Sequence, residues 1–74
     1  MTYKFSTVIE KDKFGYYAYC PELKGCHTQG ETLEEVNFNI REAIELYLET
    51  MSEDEISDVI SSEVMTGIYE VKVG

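Results

Sequence analysis

The chain reads as an α+β domain: a three-stranded antiparallel meander, one long helix (about 32–51), a short helix (about 53–61) and a closing strand (about 67–73). Three observations predict this. Polar and apolar residues alternate through the opening positions, as in half-buried strands. From Leu33 the apolar spacing changes to three and four residues. Two Thr/Ser-x-x-Glu sequences, at Thr32 and Ser52, stand where helices would begin.

In residues 3–10, Tyr3, Phe5, Thr7 and Ile9 share one face of the first strand, and Lys4, Ser6, Val8 and Glu10 the other. Residues 11–15 read as a loop in which Gly15 can take positive φ. The aromatic run Tyr16-Tyr17-Ala18-Tyr19-Cys20 suits a second strand, which Pro21 ends because it cannot donate to a ladder. After the short link 22–25, residues 26–29 form a third strand before Gly30. Short links between the three strands favour a meander.

The long helix is the strongest pattern. Leu33, Val36, Ile40, Ala43, Ile44, Tyr47, Leu48 and Met51 make one apolar stripe, with Glu34, Glu35, Glu42, Glu45 and Glu49 away from it. Phe38 projects among those glutamates, and Leu46 lies close to the same side. A singly exposed apolar residue is common on protein surfaces, and an aromatic residue in polar surroundings is typical of an interface anchor; the small core favours the anchor. Asn37 falls at the edge of the stripe, a place for a hydrogen bond across a subunit interface or, the favoured reading, the boundary with water. Glu53, Asp54 and Glu55 open the second helix, an acidic first turn that suits the helix dipole. Beyond Gly67, residues 68–73 alternate again and read as the closing strand.

Seventy-four residues allow one domain, read as residues 1–74. With 43% hydrophobic and 28% charged residues, the chain has globular rather than disordered composition. A domain of this size buries only about 60% of its unfolded surface, so oligomerisation is the expected support. No apolar run approaches the ~20 residues of a membrane span, and no leader pattern opens the chain. A cytoplasmic location with both thiols reduced is therefore expected.

The net charge of −9 is unevenly spread: residues 1–30 balance at +1 and residues 31–74 at −10. Phosphate contacts demand the opposite sign, so direct binding of nucleic acid is not expected. A basic protein would be attracted and its association speeded. Solubility alone would also account for an acidic surface.

Catalysis and metal binding find little footing. Cys20, Cys26 and His27 are suitable zinc ligands, yet a site needs a further ligand such as Glu22. Adjacent Cys26 and His27 diverge on a strand, which also weakens a Cys–His nucleophile pair. Two cysteines packed as small hydrophobes are the simpler reading. Metal-dependent RNA hydrolysis would need Glu10, Asp12 and helical carboxylates to converge, whereas the helical acids spread along a solvent face. No enzyme activity, cofactor or metal is expected.

Residues 15–49 resemble the HicB antitoxin family. The motifs are P-E-L-x-G-C from Pro21 through Gly25 to Cys26, T-x-G-x-T-x-E-E through Gly30, Thr32 and Glu35, and N-I-x-E-A-I from Asn39 through Ala43. The resemblance implies a partial ribonuclease-H-like fold without the nuclease's catalytic carboxylates. It also implies a small basic toxin partner, HicA, which cleaves messenger RNA with a histidine and is masked by the antitoxin. Many members carry an operator-binding helix-turn-helix or ribbon-helix-helix domain; none is read here. The expected function is steric and electrostatic sequestration of a HicA-like toxin by a homodimer or higher oligomer. Its contact set is Phe38, Glu42, Glu45 and Glu49, with Glu53 and Asp54 nearby, drawn from the amphipathic pattern and not from the family. Because small freestanding members occur without an evident toxin, an orphan self-assembling module is the alternative.

Overall fold

The computed structural model describes residues 2–60 and 63–74. Strands β1 (Val8–Asp12), β2 (Gly15–Tyr19) and β3 (His27–Gly30) form an antiparallel sheet in the order β1-β2-β3. Helices α1 (Leu33–Glu49) and α2 (Glu53–Ile60) follow. The expected continuation of the short helix to residue 61 lies outside the described residues.

The first hairpin is tighter than the alternation suggests. Asp12 pairs with Gly15, so Lys11 and Asp12 belong to the ladder and only Lys13 and Phe14 make the turn. The Asp12 carboxylate accepts the Phe14 amide at 2.8 Å, closing the turn from the side chain. Gly15 has φ 135°, outside the range comfortable for a residue with a Cβ. Upstream, the ladder stops at the pair Val8–Tyr19, so residues 3–7, expected as strand, lie beyond it.

The connection after β2 is a built element. The Cys20 amide donates to the Cys26 carbonyl at 2.9 Å, Leu23 to Cys20 at 3.1 Å, and Cys26 to Leu23 at 3.0 Å. These bonds fold Leu23 and both cysteines inward to join Ala18, Val36 and Ile40 in the core. Gly25 supplies the positive φ, 81°, that the reversal needs. At Gly30 the requirement is space: a Cβ would sit 2.8 Å from the Val36 amide nitrogen. The missing side chain lets α1 approach the end of β3.

Both helices start on side-chain caps. The Thr32 hydroxyl accepts the Glu35 amide at 3.0 Å, and the Glu35 carboxylate takes the Glu31 amide at 3.4 Å rather than that of Thr32. At α2 the exchange is reciprocal, Glu55 to the Ser52 hydroxyl and Ser52 to the Glu55 carboxylate. Helix α1 packs over β3 and β2. Asn39 donates to the Gln29 carbonyl at 3.0 Å, tying the middle of the helix to β3, and Tyr47 to the Lys24 carbonyl at 2.9 Å, tying its C-terminal end to the 20–26 loop.

The expected closing strand is also absent among the described residues. Residues 67–73 form no strand, and every residue of 63–74 is exposed. An alternating sequence supplies a face to bury, but a strand exists only when another backbone completes its hydrogen bonds. Here the segment pairs with neither edge of the sheet.

Candidate functional site

Val36 and Ile40 point α1 into the core, which turns the opposite side of the helix to water. Phe38, Glu42, Glu45 and Glu49 are spaced four, three and four residues apart, so they stack along that outer side. All four are exposed. Phe38 keeps 65% and Leu46 57% of their surface accessible, large values for apolar groups beside carboxylates. A shallow recess next to Phe38 is walled by Thr32, Glu34 and Glu35.

Electrostatically the stripe is out of balance. Arg41 engages Glu45 at 3.3 Å, an exposed pair of the kind that contributes little to stability. Neither helix carries a basic residue in its last turn, so Glu49 stands at the negative end of the α1 dipole without a helical cation beside it. Glu53, Asp54 and Glu55 sit in the first turn of α2 and are likewise exposed. Asn37 is exposed at the margin of the apolar stripe.

The cysteines are placed for packing. Burial, the main cause, pushes the Cys20 thiol up to about 11, and the nearby Glu22 carboxylate pushes the same way. Burial also raises Cys26. Both shifts disfavour the thiolate that a Cys–His nucleophile pair would need. His27 faces solvent while Cys26 faces the core. Among the described residues, no group of three or more His, Cys, Asp and Glu is gathered to hold a metal ion. No helix among them is long and apolar enough to cross a membrane.

Glu22 has a structural task that the sequence did not reveal. Its two carboxylate oxygens accept the Ser6 amide at 3.1 and 3.0 Å, fastening the segment before β1 to the 20–26 loop. Partial burial pushes its pKa up, but hydrogen bonds from Ser6, its own backbone and Cys20 outweigh that and hold it below the usual value of 4.5. A depressed folded pKa means stabilisation present above the unfolded value and lost as pH falls through the folded one. Glu22→Gln is therefore expected to lower the urea midpoint at pH 7, with the gap from wild type narrowing in acid below the usual carboxylate range. A gap that persisted unchanged at low pH would remove the charge from this account.

The family model for "HicB_like antitoxin of bacterial toxin-antitoxin system" matches residues 5–70. The chain belongs to the HicB-like antitoxin family. A UPF0150 protein of Archaeoglobus fulgidus is 47% identical over 72 residues, covering 96% of this chain and 99% of its own length. A UPF0150 protein of Helicobacter pylori is 54% identical over 52 residues, 70% of this chain and 72% of the relative. A third, from Synechocystis sp., is 54% identical over 50 residues, 66% of this chain and 63% of the relative's length. No solved structure matches, so the ribonuclease-H-like description stays with the sequence resemblance.

For this HicB-like protein, membership supports an antitoxin role in general and implies a toxin as partner. An antitoxin family also suggests action without turnover. Of the motif residues of the HicB-like chain, Gly25 is at the turn, Gly30 at the close approach, Thr32 and Glu35 at the cap, Cys26 in the core, and Asn39 on the helix bonded to β3. Pro21 and Ala43 are half-buried beside them.

Proposed function

We propose that this HicB-like chain sequesters a small basic, HicA-like, mRNA-cleaving toxin by covering its RNA-binding surface with the outer face of α1. The observation that supports this reading is the acidic stripe around exposed Phe38, in which Arg41 offsets Glu45 alone and Glu42 and Glu49 have no ion-pair partner among the described residues. Like charges this close repel one another, and the α1 dipole adds to the cost at Glu49. A cationic partner relieves both. Phe38 supplies the apolar anchor, the carboxylates accept from Lys and Arg on the toxin, and Glu53 and Asp54 extend the acidic field. Residues 1–74 act as one HicB-like domain in the cytoplasm, and inhibition is steric and electrostatic. The surface addresses a protein rather than nucleic acid, because its sign opposes phosphate contact.

The direct test is affinity capture from the native cell at low salt, with retained proteins identified by mass spectrometry. A small basic protein released as salt rises is the expected result. Recovery of this chain alone would sink the toxin-binding reading and favour the self-assembling module. Phe38→Ala is expected to weaken capture at least about 10-fold, as truncation of an interface anchor does. Its circular dichroism and melting should match wild type, because Phe38 lies outside the core. Equal capture by the variant would take Phe38 out of the interface.

A further inference from the structure

On the β1 side the sheet and helix leave an open groove. Helix α1 lies over β3 and β2, and β1 is an edge strand. Between residues 2–7 and the helix is a cavity of about 550 Å³, with Tyr3, Phe5, Ile40, Ile44 and Leu48 among its walls. Ser6 turns its amide inward to Glu22. The alternation of an extended chain then turns the amides of Phe5 and Thr7 to the open side.

The same chain carries a segment of matching chemistry that is unused. In residues 68–73, Tyr69, Val71 and Val73 share one face, and Ile68, Glu70 and Lys72 the other. Tyr69 is 88%, Val71 76% and Val73 89% exposed, an apolar face that a monomer would leave in water, and Ile68 on the other face is 100% exposed. The radius of gyration is 14.5 Å, against about 11 Å for a compact chain of this length, and the long axis reaches 48 Å. Six residues of strand span about 20 Å, close to the length of residues 3–9.

We propose that residues 68–73 are a donor strand for a second copy of this chain. They pair with the open edge formed by residues 3–9, with Tyr69, Val71 and Val73 laid in the groove against Ile44 and Leu48. Donor and acceptor are both open in one chain, so a two-fold pair satisfies each copy by the same contact. Charge favours a like partner at this surface. The donor segment holds one acid and one base, Glu70 and Lys72, and residues 1–30 balance at +1, so two copies meet here without the repulsion of their acidic faces. The groove also reaches Arg41 and Glu45, so it shares Glu45 with the face of α1 proposed for toxin binding, whereas Phe38, Glu42 and Glu49 do not line it.

Light scattering during size exclusion tests it on the full chain. Wild type is expected at twice the 8.5 kDa chain mass. Val71→Asp with Val73→Asp is expected to weaken the dimer at least about 100-fold, because two buried valines become charged. Circular dichroism should be retained, since neither residue contacts the core. Should the variant misfold, a mixture of isotope-labelled and unlabelled wild-type copies still decides. Intermolecular nuclear Overhauser contacts between the Val71 methyls and those of Ile44 or Leu48 would support the exchange. A monomeric wild type, a dimer indifferent to both substitutions, or Val71 contacts confined to one chain would each overturn it. So would ordering of the segment solely on adding a captured basic protein.

Discussion

Replacing Glu42, Glu45 and Glu49 together by lysine is expected to weaken retention of the basic toxin at least about 100-fold at low salt. The three positions share one side of α1 and none contributes to the core. The change therefore acts on the field presented to a partner rather than on packing. It moves that surface by six charge units, enough to reverse steering and slow association by one to three orders of magnitude, roughly 10–10³-fold. Part of the loss should be recovered near 1 M salt, where the screening length falls to about 3 Å. Contacts desolvated in the complex should stay broken. Stability should change little. Lysine at 49 complements the negative end of the α1 dipole, while lysine at 45 replaces the Arg41–Glu45 pair by a like-charge pair of similar small size, so the free variant should melt close to wild type. Capture that survives all three reversals would make the glutamates a solvating face only. Lost capture with a lowered melting temperature would point to damage of the fold.

Leu23→Ala is expected to remove about 2–5 kcal/mol of folding stability, the cost of a cavity at a fully buried leucine. Leu23 is 1% exposed and is held by backbone bonds to Cys20 and Cys26 that leave it little room to move. A 74-residue domain has roughly 4–11 kcal/mol in total, so the lower part of that range leaves the variant largely unfolded at room temperature. Urea denaturation followed by circular dichroism measures the effect. Phe14→Ala, in a residue 83% exposed at the hairpin turn, is the control and should leave the midpoint in place. An unchanged midpoint for Leu23→Ala would mean that the 20–26 loop folds independently of the core.

The contrast between Leu23 and Phe38 shows how far the sequence reaches. Phe38 is legible as an outward residue because helical spacing assigns its direction without knowledge of the rest of the chain. The stripe Glu42, Glu45 and Glu49 follows from the same rule. Leu23 offers no such sign. It sits between Glu22 and Lys24 in a link too short for periodicity, and only the bonds closing on Cys20 and Cys26 turn it inward. Glu22 is similar: a carboxylate in a loop carries no mark that it will fasten an amide sixteen positions away. The Arg41 contact with Glu45 could have been found, since it is an i, i+4 pair on a helix already identified.

The sequence alone determined both helices, their starting caps, the three-strand meander and the acidic outer face of α1. In the helices and caps each hydrogen bond or facing direction is set by residues a few positions apart, and in the meander short links leave neighbouring strands as the natural partners. The tertiary structure alone decided where β1 begins, how the 20–26 loop enters the core, and that residues 67–73 join no sheet within the chain. A helix satisfies its own backbone, so its pattern suffices to predict it. A strand is defined by a partner, and for residues 68–73 the alternation describes a face to bury without naming the edge that would receive it.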